Sequence, residues 1–273
     1  MTKFARMIDV LDLYSESDTL LSAEDIAERL QVSRPTAFRY VRELSHAGFL
    51  ANYGGRYSLG ARIITLDYRI READPVLKVA RTTMQQLAAE TSHGIILCRM
   101  YNHDIINVHH EMGYDRRTVS FGRGRPLPLF RGAVSKVMLA FLPTNRLRRL
   151  YEAHADHPDV SALAADWPAF RRYYASIRQQ GHYISDEEVE SDVVGIAAPV
   201  AIPDNGMSAA LCLVVWRDRL DHVNLAGTAE LVMRRAQHIG AALASLGQTA
   251  AEPPGPVVEP GRAQGVAHDP VAG

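Results

Sequence analysis

The chain has 273 residues, enough for about two domains, and its 47% hydrophobic and 22% charged residues are typical of a globular protein. The formal net charge of −1 excludes a strongly basic protein, so any surface that binds nucleic acid has to be local. The sequence shows neither a signal peptide nor an apolar segment of membrane length, which predicts a cytoplasmic protein.

The first predicted element is an amphipathic helix over Lys3–Ser15, because apolar residues recur there at helical spacing. Its expected packing face consists of Phe4, Met7, Ile8, Leu11 and Tyr14. We expect this helix to be the first element of a module that continues to residue 60.

Residues 22–60 carry the pattern of two short helices, a tight turn and a β-hairpin. Ser22 is placed to cap the first helix, with Asp25 completing a capping box, and Ser33 is placed to cap the second. Two β-prone segments then meet at Gly54-Gly55, which is a two-residue hairpin signal. This order of elements is typical of a winged helix-turn-helix, a DNA-binding module.

The second helix of this module is predicted to bury one face and to present a basic face to solvent. Its predicted buried residues are Ala37, Tyr40, Val41 and Leu44. The predicted DNA-binding residues are Ser33, Arg34, Pro35, Thr36, Phe38, Arg39 and Arg42 of this helix and Arg56 of the hairpin. Arginine contacts phosphate or donates two hydrogen bonds to guanine, and an exposed Phe38 suits a thymine methyl group. The alternative is a solvated charged face on an ordinary helical domain, but the caps, turn and hairpin together favour DNA binding.

Residues 61–73 predict a further helix that carries more apolar surface than a solvent-crossing linker needs. Asp74-Pro75 then interrupts the chain, because proline disfavours helix in the preceding residue and fits the first turn of a new helix. The domain boundary is therefore predicted at this dipeptide.

Residues 75–247 alternate helix and strand patterns, which predicts an α+β domain built on an antiparallel sheet. The predicted helices are Val76–Thr91, Ala133–Leu142, Asn145–His154, Trp167–Gln180 and Val223–Leu246. The predicted strands are Gly94–Tyr101, Asp104–Glu111, Thr118–Phe121, Tyr183–Ser185, Gly195–Ile202 and Ser208–Trp216. From residue 248 the chain is rich in Pro, Gly and Ala, so a disordered tail is predicted over 248–273.

A metal site is an alternative for His109, His110 and Glu111, with His93 and His103 nearby. Strand alternation places only His109 and Glu111 on one face, which is too few ligands for zinc. Packing or surface histidines are therefore favoured, and no metal is predicted.

An enzyme is disfavoured because no P-loop, Rossmann, GxSxG or SxxK motif is present, and no cofactor is predicted. The acidic run 186–192 has no calcium-loop spacing, so a solvated acidic loop is expected. Cys98 and Cys212 lie far apart in apolar segments without a CxxC or disulfide framework, so buried thiols are expected.

Except for the tail, the chain resembles the IclR family of bacterial transcription regulators over nearly its whole length. The N-terminal resemblance is carried by SRPTAFRYVREL, AGFL and YSLGARIITL. The C-terminal resemblance is carried by GRGRPLPLFRGAVSKVMLAFLP and GHYISDEEVESDVVGIAAPVAIPDNGMSAALCLVV. The family implies a GAF-like domain that binds a small-molecule effector, a linker helix used in dimerisation, and a homodimer or tetramer on double-stranded operator DNA.

The predicted organisation follows from the patterns and this resemblance together. It is a winged helix-turn-helix domain (1–60), a linker helix (61–74), an effector-binding domain (75–247) and the tail (248–273). The predicted function is a ligand-responsive repressor or activator of a catabolic operon. The alternative is a GAF-like sensor or enzyme whose winged helix serves protein contacts.

The effector site is predicted at the helix start of residues 132–136, where unpaired N–H groups and the helix dipole suit a carboxylate. The effector-binding residues predicted with the help of the resemblance are Leu129, Gly132, Ala133, Val134, Ser185, Gly195, Cys212 and Val214. Many members carry Ser-Gly-Lys where this chain has Val134-Ser135-Lys136. The lining is less acidic and more apolar than in members that sense small oxoacids, which favours a larger, partly aromatic organic acid.

Three arginines lie close to this helix start in the sequence, Arg123, Arg125 and Arg131. Their guanidinium groups could add positive charge to the effector site. The alternative is that they face water and that Gly132 starts a helix without binding a ligand.

Overall fold

The protein is described by a computed structural model, which covers residues 3–102, 104–114, 116–117, 119–202 and 209–251. It divides into two compact units, and the division falls after Lys78. This point lies inside a helix that the sequence placed wholly in the second domain. No helix of these described segments is long and apolar enough to span a membrane.

The first unit combines short helices with a small antiparallel sheet. Its helices are α1 (Lys3–Ile8), α2 (Ala23–Arg29), α3 (Arg34–His46) and α4 (Ala61–Ala73). Its strands are β1 (Leu21–Ser22), β2 (Leu50–Tyr53) and β3 (Arg56–Leu59), in the order β1-β3-β2. The face of α3 that the sequence predicted to be buried lies in the core of this unit.

The predicted turns and caps of this module are mostly confirmed. Ser22 Oγ accepts from Asp25 N at 3.1 Å and Asp25 Oδ2 accepts from Ser22 N at 2.8 Å, which completes the capping box. Gly54 and Gly55 have φ of 63° and 89° and join β2 to β3, as the hairpin signal predicted. Ser33 starts α3, but its side chain does not cap the helix; its Oγ lies 2.9 Å from Thr36 Oγ1.

The prediction of one helix over Lys3–Ser15 is wrong. The helix ends at Ile8, and a 3-10 turn over Leu11–Leu13 follows. This turn redirects the chain, so that Val10 is fully buried while Phe4 is exposed. The Tyr14 hydroxyl donates to the Tyr57 carbonyl at 3.0 Å, which ties the end of this segment to β3.

The second unit is a sheet flanked by helices. Its helices are α5 (Pro75–Thr91, which begins in the first unit), α6 (Ala133–Ala140), α7 (Thr144–Ala153), α8 (Pro158–Leu163), α9 (Trp167–Gln180) and α10 (Leu225–Ala251). Its strands are β4 (Gly94–Tyr101), β5 (Asp104–Glu111), β6 (Pro126–Leu127), β7 (Tyr183–Asp186), β8 (Val193–Val200) and β9 (Ala209–Trp216). Within the described ranges they form a six-stranded antiparallel sheet in the order β6-β5-β4-β9-β8-β7.

Both faces of this sheet are covered, which confirms the predicted α+β class. Cys212 and Val214 of β9 pack in one core cluster with residues of α6 and α9. Leu211 and Leu213 point to the opposite face and are also fully buried. The helix α10 packs against β8 and β9. The strands therefore lie in an apolar interior and hold any site built on them rigidly.

Two predictions for the second unit need correction, and one helix was not predicted. The prediction of a strand over Thr118–Phe121 is wrong, because residues 119–121 form no strand. The Phe121 carbonyl accepts a hydrogen bond from Asn107 Nδ2 at 3.0 Å. The segment that pairs with β5 is Pro126–Leu127 instead. Thr118 itself lies outside the described residues. The helix α8 was missed because it is short. The helix α10 continues through residues 248–251, where the tail was predicted to begin, and residues 252–273 lie outside the described part.

Candidate DNA-binding face and effector cavity

The predicted DNA-binding residues lie together on the outer side of α3 and on the hairpin. Those exposed to solvent are Ser33, Arg34, Pro35, Phe38, Arg42 and Arg56. Thr36 and Arg39 are half-buried, and the guanidinium of Arg39 lies 5.6 Å from the ring centre of Tyr40. Phe38 is 49% exposed, which is unusual for so large an apolar side chain and marks a contact surface.

A shallow groove of about 450 Å³ runs between α3 and the hairpin. It is lined by Pro35, Phe38, Arg39, Arg42, Ser45, Asn52 and Tyr57. Sequence reasoning missed Asn52 and Tyr57, which are directly paired across β2 and β3. A two-residue turn at Gly54-Gly55 fixes the strand register, and this register pairs Asn52 with Tyr57. The two residues could therefore have been placed on this face from the sequence.

The charge of this face is positive. Arg42 lies 3.3 Å from Glu43, but both side chains are largely exposed, so this pair neutralises little. Arg56 donates one hydrogen bond to the Leu20 carbonyl at 3.0 Å, and a guanidinium has five N–H groups. The geometry therefore suits contacts with a polyanion.

Seven of the eight predicted effector residues line one cavity of the second unit. They are Gly132, Ala133, Val134, Ser185, Gly195, Cys212 and Val214. Leu129 does not line it; this side chain is half-buried against the core, and Leu127 lines the cavity instead. The lining residues that sequence reasoning missed are Ile96, Phe121, Leu127, Val189, Glu190 and Val193.

The floor of the cavity is formed by five residues, four side chains and one glycine, whose positions are fixed by strand register. Ser185 pairs with Gly195 and Gly195 with Val214, while Ile96 pairs with Cys212. A Cβ on Gly195 would lie 2.9 Å from Ser185 Oγ, so glycine provides the space above this row. Cys212 is fully buried, and desolvation raises the pKa of its thiol to about 12, so it stays neutral.

The cavity is small in this structure, at about 30 Å³. A volume of that size holds about two water molecules, whereas cavities for organic ligands measure about 300–1,000 Å³. At this volume the cavity is too small for an organic ligand of ordinary size.

The acidic segment between β7 and β8, residues 187–192, closes the cavity, and we call it the strap. Val189 and Glu190 of the strap line the cavity. Gly132 has φ of 86°, and a Cβ there would lie only 2.5 Å from Val189 Cγ2. Glycine is thus required by both backbone and packing where the strap meets the start of α6.

The expectation of a solvated acidic loop is wrong for two of its carboxylates. Glu188 Oε2 accepts from the Gly132 N–H at 2.8 Å, and Glu190 Oε2 accepts from Ser120 N and Oγ at 2.8 and 3.0 Å. Asp186 and Glu187 are exposed, and both pair with Arg217. Long-range partners therefore fix the strap at several points.

Glu188 belongs to a partly buried polar cluster next to the cavity. Lys136 Nζ lies 2.7 Å from Glu188 Oε2 and donates to the Tyr183 hydroxyl at 3.0 Å. Tyr183 donates to Glu188 Oε1 at 2.9 Å, and Tyr173 donates to the Tyr183 oxygen at 3.2 Å. The Lys136 side chain is only 8% exposed. Desolvation alone would lower the pKa of Lys136, but its hydrogen bonds to Glu188 and Tyr183 raise it above the usual value, so the amine stays charged.

The three arginines near the helix start do not line the cavity, as the alternative expected for these side chains. Arg123 donates to the Val108 carbonyl at 2.8 Å, Arg125 to the Ser120 carbonyl, and Arg131 lies 3.0 Å from Asp159. All three are exposed.

The histidines of β5 take part in packing contacts. His109 Nε2 lies 2.7 Å from Glu111 Oε1, and burial lowers the pKa of His110, whose ring lies near Gly94. Over the described stretches, no group of three or more potential ligands converges as a metal site would require. His103 lies outside the described residues.

Two family models match the chain. The model described as bacterial transcriptional regulator IclR C-terminal matches residues 70–241, and the IclR helix-turn-helix domain matches residues 5–52. The probable HTH-type transcriptional regulator ArcR of Halobacterium salinarum is 24% identical over 243 residues, which are 88% of this chain and 92% of that protein.

Solved structures show the same fold. An IclR transcriptional regulator from Alicyclobacillus acidocaldarius is similar with a TM-score of 0.73 and 22% identity, over 88% of this chain and 98% of that one. An IclR homologue from Microbacterium hydrocarbonoxydans complexed with 4-hydroxybenzoate is similar with a TM-score of 0.70 and 21% identity, over 89% of this chain and all of that one.

Proposed function

The chain belongs to the IclR family of bacterial transcriptional regulators, and we propose that it controls a catabolic operon in response to a small organic acid. Proteins of this family are not enzymes, which removes the enzyme alternative. The observation that carries the proposal is that one chain holds an exposed arginine-bearing α3 face in one unit and a closed cavity in the other. The first suits operator DNA and the second suits a small ligand.

Operator binding is assigned to the eight predicted residues of α3 and the hairpin. Arg34, Arg39 and Arg42 lie along one helix, and a helix of this kind fits the major groove. Arg56 lies in the β2–β3 hairpin, which is the wing of the module, and is proposed to contact a phosphate of the DNA backbone. Because operator DNA lies in the cytoplasm of a bacterium, the protein is proposed to act there.

A homodimer or tetramer is proposed because α4 leaves large apolar side chains exposed. Ile64, Tyr68 and Ile70 are between 60% and 73% exposed, and such a surface favours association with a second copy. A two-fold protein would bind a pseudo-palindromic operator.

The proposed effector is a small organic acid, with aromatic acids favoured. The cavity floor is mostly apolar, and Ser185 adds one buried hydroxyl. The start of α6, at Gly132, Ala133 and Val134, lines this space, and the N–H groups and positive dipole end of a helix start suit a carboxylate. The similar protein solved with 4-hydroxybenzoate supports an aromatic acid, and the strap has to move to admit one.

The test is a gel-shift experiment with the intergenic DNA upstream of the gene and of its neighbours. Aromatic and aliphatic acids are titrated into the protein–DNA complex, and their affinities for the free protein are measured by calorimetry. We expect a specific complex whose affinity changes with one class of acid. A protein that binds no DNA more tightly than unrelated sequence contradicts the proposal.

A further inference from the structure

Glu188 occupies a position that has the donor set a small carboxylate needs. Its Oε2 atom is shared between the Gly132 N–H at 2.8 Å and Lys136 Nζ at 2.7 Å. Gly132 and Val189, the residue after Glu188, line the cavity, whereas Glu188 and Lys136 do not, so this oxygen lies directly behind the cavity wall. A backbone N–H at a helix start and a buried ammonium together bind carboxylates strongly. In this structure a side chain of the protein fills that position.

The charges around the cavity oppose a further anion while Glu188 stays in place. Glu190 lines the cavity, and the ammonium of Lys136 is already neutralised by Glu188. An acid added to this arrangement would place a third carboxylate near one buried ammonium, which is costly at low local dielectric. Replacing the Glu188 carboxylate with that of the ligand keeps the balance of buried charge unchanged.

The size of the cavity also indicates that Glu188 has to move before an acid can bind. At about 30 Å³ it admits no organic acid of more than a few atoms, so a wall has to move. The wall that meets Gly132 consists of Glu188, which accepts its N–H, and Val189, which packs on its Cα. Releasing Glu188 therefore opens the cavity beside the helix start.

We propose that effector binding is an exchange of carboxylates, in which the acid group of the effector takes the hydrogen bonds of Gly132 N–H and Lys136 Nζ and Glu188 leaves with the strap. This inference rests on the proposed function, because it assigns the atoms that hold the acid. It makes Lys136 the residue that distinguishes acids from neutral analogues. In this exchange the ligand binds only the state in which the strap is open. Any ligand-driven switch requires such a difference in affinity between two states.

The test uses acetate as a probe and thermal unfolding of the full chain as the readout. Glu188→Ala removes the internal carboxylate and leaves Lys136 buried beside a vacant position. We expect its Tm to be about 3 °C higher in 100 mM sodium acetate than in 100 mM sodium chloride, because a ligand that binds only the folded state stabilises it. The wild-type protein, with Glu188 in place, should show a smaller difference, and acetamide should raise neither Tm.

The control is the double variant Lys136→Met with Glu188→Ala, which should not respond to acetate. Equal Tm values of Glu188→Ala in acetate and chloride overturn the proposal, and so does a response that persists in the double variant. If Glu188→Ala does not fold, Glu188→Gln is measured in the same way, since its neutral amide competes weakly with acetate for Lys136. Neither DNA nor the natural effector is used, so a failure of operator binding and a failure of the exchange are seen separately.

Discussion

The helices α3 and α6 carry the two sets of proposed functional residues, and their charged side chains lie in opposite surroundings. Along α3, Arg34 and Arg42 are exposed, and the contact of Arg42 with Glu43 is open to water. On α6, Lys136 is buried and its ammonium is held by Glu188 and Tyr183. A surface that binds a large polyanion leaves its arginine side chains accessible to the ligand. A site for a small molecule instead holds its charged donor by hydrogen bonds to residues that are distant in the sequence.

This contrast has an energetic consequence. Removing an exposed charge leaves the fold almost unchanged, because water replaces the lost contact. Removing one member of a buried pair leaves its partner without compensation, which costs several times more. Substitutions on α3 should therefore alter DNA affinity and spare stability, while substitutions around α6 should alter both.

The largest expected effect is that of Lys136→Met. It should lower the free energy of unfolding of the second unit by about 3 kcal/mol, because the Glu188 carboxylate loses its buried cation. Urea unfolding measures this change. The matched control is Arg148→Met, which breaks an exposed pair with Glu152 at 2.8 Å and should cost less than about 1 kcal/mol. Equal losses in the two variants would show that the buried cluster does not stabilise the unit.

Gly132→Ala should cost about 2–3 kcal/mol, because a left-handed backbone and the contact with Val189 both oppose a Cβ. Gly124→Ala is the matched control, since its φ is also 86° but no atom lies within 4 Å of the added Cβ. Thermal unfolding of both variants separates backbone strain from the clash with the strap. If Gly124→Ala is equally destabilised, the strap does not press on Gly132.

For the DNA-binding face, Arg39→Ala should weaken specific operator binding by about 1–3 kcal/mol and relax the preference at one base position. Stability should remain near that of the wild type. A gel-shift series with single-base operator variants measures both effects. Arg29→Ala serves as control, because Arg29 lies on α2, outside the predicted DNA-binding residues, and pairs with Asp18 at 2.9 Å. Unchanged operator affinity of Arg39→Ala would show that the recognition face is assigned wrongly.

The smallest expected effect is that of Arg56→Ala in the wing. It should weaken binding to all sequences alike and reduce the slope of log affinity against log salt by about 0.9, the value for one phosphate contact. Titrations at several salt concentrations measure the slope, and circular dichroism checks that loss of the hydrogen bond to Leu20 leaves the fold intact. A change of base preference would instead assign Arg56 to base contacts.

Local patterns were sufficient to predict most of the first unit. Ser22, Asp25 and the Gly54-Gly55 turn act on residues within a few positions, and the structure has each as expected. The predicted helix over Lys3–Ser15 ends at Ile8. The segment after it makes tertiary contacts: Val10 is fully buried, and the Tyr14 hydroxyl donates to the distant Tyr57 carbonyl. A helical pattern in the sequence contains no information about that contact.

The effector cavity was predictable only in part, for the same physical reason. Gly132 and Val134 could be placed from the helix start, and the strand register that adds Ile96 follows from Cys212. The role of the strap could not be predicted, because Glu188 meets Lys136 from 52 positions away and an acidic run without known partners indicates a solvated loop. Pairing between distant elements decides which carboxylates of such a run are buried.

The cavity floor, fixed by the register of Ser185, Gly195 and Val214, has a consequence for evolution. Its backbone hydrogen bonds belong to the sheet and do not depend on which side chains point into the cavity. Point substitutions on the floor can therefore reshape the space for the body of a ligand without disturbing the start of α6 or the strap. On the function proposed above, a lineage of such regulators acquires a new effector by changing the floor alone and keeps the proposed contacts of the acid group.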